Sequence, residues 1–133
     1  MNQIVTSFLV VVAMFVAIDS HAQGADYTTD SLVVVKQQIQ EKKALLVDVR
    51  DQAEWDRGHL EGALLVPFRK LQKGMTQADV EKVLPKNQII YTHCAVGARS
   101  LGAAGVLKDY GYDVRPLQQG YKELVKEGFP VAK

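Results

Sequence analysis

Ile89-Ile90-Tyr91-Thr92-His93-Cys94-Ala95-Val96-Gly97-Ala98-Arg99-Ser100-Leu101 decides how this chain is read. A short apolar run ends at the single cysteine of the 133 residues. A tight loop with Gly97 and Arg99 follows, and a helical pattern begins near Ser100. Strand, loop and helix in that order put a thiol beyond the carboxyl end of a strand, facing a helix amino terminus. Ligands of open α/β sheets bind in that crevice. Successive loop N–H groups and the positive end of the helix dipole favour negative charge there. Cys94 is therefore expected as a thiolate, the nucleophilic form, although a lone cysteine is as often a buried, inert one.

Outward from this stretch, apolar runs at Leu45–Val49 and Leu64–Val66 predict further strands, and Tyr112–Leu117 reads as another, near a sheet edge because of Pro116. Helices are expected between them. One runs from a cap at Asp30 or Ser31 to about Lys43 with Leu32, Val35 and Ile39 on one face, a strand through its three valines being the alternative. Asp51 caps a short second helix that Gly58 ends, and a brief one follows around Phe68–Gln72. Thr76 and Asp79 form a capping box for another, which Pro85 ends. The helix over 100–110 has Ser100 as its N-cap and buries Ala103, Val106, Leu107 and Tyr110. Tyr121–Lys126 is the last. Strands alternating with helices predict an α/β fold, a parallel central sheet with helices on both faces, in one domain over residues 30–133.

Ile4 to Ile18 is almost wholly apolar but shorter than the roughly 20 residues of a bilayer-spanning helix. Small residues at Ser20 and Ala22 follow, so residues 1–22 are expected to be a signal peptide cleaved after Ala22, with a periplasmic or secreted product. Met1-Asn2-Gln3 lacks the usual Lys or Arg, which leaves an uncleaved anchor or a buried helix as alternatives. Residues 23–29 are polar and are expected to be a flexible leader. A formal charge of +1 points to neither nucleic acid nor, once the signal is removed, a membrane as partner. One cysteine allows no internal disulfide and no multi-cysteine zinc site, and nothing in the pattern calls for a metal or other cofactor.

Four pieces now stand in order: Leu46-Val-Asp-Val-Arg50, Glu54-Trp55, Gly58-His-Leu-Glu-Gly-Ala63 and Cys94-x-x-Gly-x-Arg-Ser100. Together they resemble a single-domain rhodanese, a sulfurtransferase, over about residues 30–131. The resemblance implies a small parallel-sheet domain that moves a sulfane sulfur from a donor such as thiosulfate to cyanide or a thiol, a protein thiol included. It implies a persulfide on Cys94 as intermediate. Where the family often carries two glycines and a later tryptophan, this chain has Gln119-Gly120 and Leu124.

On this basis Cys94 is the nucleophile. The backbone of Ala95, Val96, Gly97, Ala98, Arg99 and Ser100 is the cradle for the transferred sulfur, and the Arg99 side chain is the cation for an oxyanion donor, unless it turns back to pair with an acid. Asp48 and Arg50 are expected as scaffold, His59 as a turn residue, and His93 as pointing away from Cys94. Protein tyrosine phosphatases carry His-Cys-x5-Arg; Cys94-x4-Arg99 is one residue shorter and suits one sulfur better than a phosphoryl group. A cysteine hydrolase would need His59 or His93 beside Cys94, which the spacing does not support. A carrier that loads sulfur without turnover, or a redox-sensing module, would use the same cysteine.

Overall fold

The structure, a computed structural model, describes residues 25–133. The expected signal peptide lies outside the described residues. Ten elements follow in chain order: α1 (Leu32–Gln40), β1 (Ala44–Asp48), α2 (Gln52–Asp56), β2 (Leu64–Leu65), α3 (Phe68–Gln72), α4 (Gln77–Glu81), β3 (Ile89–His93), α5 (Ala98–Asp109), β4 (Asp113–Pro116) and α6 (Tyr121–Lys126). The four strands form one parallel sheet in the order β2-β1-β3-β4, with Asp48 paired to His93 and Ile89 to Asp113. Among the described residues no helix is long and apolar enough to cross a membrane.

Side-chain alternation along the strands divides the core into two layers, because successive residues of a strand face opposite sides. Leu45, Val47, Ile90 and Val114 pack with Leu71, Val80, Ala103, Ala104 and Leu107 from α3, α4 and α5. Ala44, Leu46, Tyr91 and Leu117 pack with Val35 and Leu124 from α1 and α6. Leu124 is wholly buried, so it fills the apolar place where the family often has tryptophan. Both faces are covered by helices, as the strand–helix alternation predicts, and β4 is an edge strand. Residues 33–35 are helical, with Ser31 Oγ accepting the Val34 N–H; only Val35 of the three valines is buried.

Two local expectations are corrected. Ser100 is not the N-cap of α5. Gly97 is, at φ 98°, a left-handed conformation that glycine adopts without steric cost. Ser100 lies one turn in, fully buried, its hydroxyl donating to the carbonyls of Gly97 and Leu117. The expected leader over 23–29 is tied to the domain in its described part. The Thr28 N–H donates to Pro116 O at 2.8 Å, and just beyond it Asp30 accepts from Tyr91 Oη at 2.7 Å and from Arg115 Nη1 at 2.9 Å.

The strand order reverses about β1: β2 lies on one side, and the chain then returns to put β3 on the other. The carboxyl ends of β1 and β3 flank this switch point. It is the position where a doubly wound sheet leaves a crevice.

Candidate active site

Cys94 is the first residue after β3, at the switch point, and is completely buried. The Gly97 N–H donates to its Sγ at 3.0 Å. Ala95, Val96 and Ala98 are exposed, Val96 by 80%. Leu101 is the residue whose N–H reaches back to Gly97 O, so the amides of Ala98, Arg99 and Ser100 stand ahead of it at the helix start, where no intrahelical carbonyl is available. The loop thus sets one backbone donor, the Gly97 amide, on the sulfur. A side chain at Gly97 would intrude on two neighbours: its Cβ would lie 2.8 Å from Gln118 O and 3.0 Å from Tyr27 Oη.

Two backbone contacts hold the loop in place. The Tyr121 N–H donates to Cys94 O at 2.8 Å. Gly120 presses against the loop so closely that a Cβ on it would lie 1.7 Å from Ala95 O. Behind them, Arg50 bonds Asp48 through Nε and Nη2 (2.7 to 3.0 Å), gives Nη2 to Gly58 O at 2.8 Å, and lies 4.2 Å from the centre of the Tyr121 ring. Both ions of this pair are buried. One guanidinium therefore ties the end of β1, the turn after α2 and the start of α6, the anchoring role expected for Asp48 and Arg50.

Arg99 takes the second of the two places left open for it, turned back to an acid. Its guanidinium forms a two-pronged pair with Glu54, Nη1 to Oε2 at 2.7 Å and Nη2 to Oε1 at 2.9 Å. The fork matches a carboxylate as well as it would a donor oxyanion. Glu54 also accepts the Asp51 N–H at 2.9 Å, so the pair clips α2 to the loop–helix junction. The Arg99 hydrogen bonds hold the Glu54 carboxyl at about 2, well below the ordinary 4.5, against the opposing pull of burial.

His93 is buried on the face opposite Cys94, and neither ring nitrogen has a hydrogen-bond partner. Burial, the largest influence, pushes its pKa below the ordinary 6.5; the Asp48 carboxylate opposes and the Arg50 guanidinium assists. A neutral ring makes the 4.0 Å approach to Asp48 Oδ2 no ion pair. The unfolded chain takes up a proton near its ordinary pKa that the folded chain refuses. Stability is thus whole above about pH 6.5 and declines as pH falls below it. Glu54 adds a second loss, from its ordinary 4.5 down toward about 2. The midpoint of thermal unfolding should therefore drop between about pH 7.5 and about pH 5.5, and His93→Gln should flatten that drop. A midpoint independent of pH over this range would mean that the ring protonates where it lies. His59 is a turn residue: it stacks on Trp55 with ring centres 3.6 Å apart, and its Nδ1 lies 3.1 Å from Trp55 O.

A cleft of about 440 Å³ opens beside the loop, lined by Arg50, Glu54, Arg57, Gly58, Ala95, Val96, Tyr121 and Lys122. Ala95 and Val96 contribute from the cradle. Sequence reasoning missed Glu54 as the partner of Arg99, Tyr27 over Gly97, and the cleft residues Arg57 and Lys122. Each is brought in by tertiary contact from an element whose local pattern signals only helix or loop. Among the described residues no three His, Cys, Asp or Glu side chains gather to hold a metal ion.

The sequence model of the rhodanese-like domain matches residues 31–127. The chain belongs to the rhodanese-like family. Thiosulfate sulfurtransferase 18 of Arabidopsis thaliana is 31% identical over 125 residues, covering 83% of this chain and 92% of that protein. A probable adenylyltransferase/sulfurtransferase of Mycobacterium tuberculosis is 34% identical over 90 residues, 67% of this chain; the match spans only 22% of that longer protein. Among solved structures, a Bacillus halodurans protein superimposes with a TM-score of 0.66 at 27% identity over 80% of this chain and 76% of that one. A human single-domain sulfurtransferase, 23% identical, shares the rhodanese-like fold with a TM-score of 0.59, over 77% of this chain and 98% of that one. In this rhodanese-like domain the loop bearing Cys94 stands at the switch point of the sheet.

Proposed function

We propose that this protein is a sulfurtransferase that carries a sulfane sulfur on Cys94, taken from thiosulfate or a similar donor and passed to cyanide or a thiol. The observation that carries this is the Gly97 N–H on Cys94 Sγ, at the start of a helix whose first amides precede the first intrahelical bond. An N–H donor and a helix amino end both favour negative charge on sulfur. The thiolate attacks the outer sulfur of thiosulfate; a bond forms between the two sulfurs, and the donor's S–S bond breaks with its electron pair leaving on sulfite. Cys94 then holds a persulfide whose terminal sulfur bears the negative charge, within reach of the amides of Ala95 to Ser100. A thiophilic acceptor attacks that terminal sulfur and restores the Cys94 thiolate. No proton need move in either step when donor and acceptor are anions. With residues 1–22 as a cleaved signal, the transfer runs in the periplasm or outside the cell.

Mass spectrometry after exposure to thiosulfate tests the proposal. A gain of one sulfur atom, removed by cyanide with release of thiocyanate, is the expected result, repeated over many turnovers. Absence of the adduct overturns it, and an adduct formed once without turnover replaces it by a sulfur carrier.

A further inference from the structure

The cleft beside the loop carries an uneven set of charges. Arg50 is neutralised by Asp48 at 2.7 Å, and Glu54 by Arg99 at 2.7 Å. Arg57 at the carboxyl end of α2 and Lys122 in the first turn of α6 line the same cleft, are exposed, and have no side-chain hydrogen bond or ion pair among the described residues. Their acidic neighbours, Asp56 and Glu123, do not line it, and Asp56 accepts from Gln52 Nε2 at 2.8 Å. Two uncompensated positive charges thus face a cavity whose remaining wall is Ala95, Val96, Gly58 and Tyr121. A concave wall with fixed charge of one sign concentrates ligands of the opposite sign.

We propose that Arg57 and Lys122 form the donor-binding site of this protein, holding the oxyanion end of a dianionic sulfur donor while its outer sulfur points to the loop. Arg99, committed to Glu54, positions the loop instead of meeting the donor. The assignment rests on the sulfurtransferase function proposed above. Two unpaired cations lining one cleft suit a small donor with a doubly charged, oxygen-rich head. One cation is a planar fork and the other a mobile point charge, so the pair accepts a tetrahedral head without demanding one fixed orientation.

The experiment is steady-state transfer from thiosulfate to cyanide by the full chain, with sulfate as an inert competing dianion. In the double variant Arg57→Ala with Lys122→Ala, KM for thiosulfate and the inhibition constant of sulfate should both rise roughly tenfold or more, while kcat at saturating donor stays within about twofold. Lys122→Arg restored in the Arg57 wild-type background should keep KM near normal. Lys126→Ala, a cation of the same helix that does not line the cleft, should change neither constant. An unchanged KM in the double variant overturns the inference while leaving the sulfurtransferase function standing. Failure of the wild-type chain to take sulfur from thiosulfate removes that function and this site with it.

Discussion

Replacing Gly120 by alanine should abolish sulfur loading and destabilise the domain. The new Cβ would sit 1.7 Å from the carbonyl oxygen of Ala95 and 3.2 Å from Val96 N, both backbone atoms that cannot rotate away. Gly120 has φ −82°, an ordinary conformation, so the demand for glycine comes from proximity and not from strain. Relief requires the loop to move outward from α6, and that movement breaks the bond from Tyr121 N–H to Cys94 O. Overpacking of this kind costs about 1–3 kcal/mol or more. In a domain of this size each kcal/mol lowers the thermal midpoint by about 4–8 °C. Calorimetry and the thiosulfate mass shift read the two effects separately. A Gly120→Ala protein with normal loading would show that the loop tolerates displacement and that its amides are not the cradle.

The second large effect is chemical. Cys94→Ser should lower sulfur transfer by about 10⁴-fold or more, since no other thiol exists in the chain to form the adduct. The fold should survive, because a hydroxyl at the same place still accepts the Gly97 N–H. Cys94→Ala removes that acceptor and should cost a further 1–3 kcal/mol, about the cost of a buried donor left without a partner. The comparison of the two variants isolates the hydrogen bond from the nucleophile. Transfer retained in either one would take Cys94 out of the chemistry.

The sequence was legible wherever a local pattern carries the structure. Leu45–Val49 and the run from Ile89 into Thr92 are short and mostly apolar, and both are strands of the parallel sheet to within a residue. Thr76 with Asp79 caps α4 as the box motif predicts, because the two side chains need only each other. The cysteine loop was placed correctly for the same reason: strand, glycine and helix follow one another directly. What stayed hidden depends on residues far apart. Nothing near Arg99 announces Glu54, 45 positions earlier, as the acid that would claim it. Ser100 has the residue type of a cap, but the left-handed turn at Gly97 starts the helix sooner and sends the Ser100 hydroxyl inward to Leu117 O. Tyr27 and Thr28 read as polar leader because their partners, Gly97 and Pro116, belong to the opposite end of the chain.

The outer margins of the sheet have a consequence for the molecule in solution. β2 is two residues long, and β4 carries Asp113 and Arg115 and ends in Pro116, which has no N–H and whose carbonyl is already taken by Thr28. Neither margin offers an unbroken row of amides and carbonyls for another copy to zip onto. The fold is thereby guarded against self-templated fibre growth at crowded concentrations.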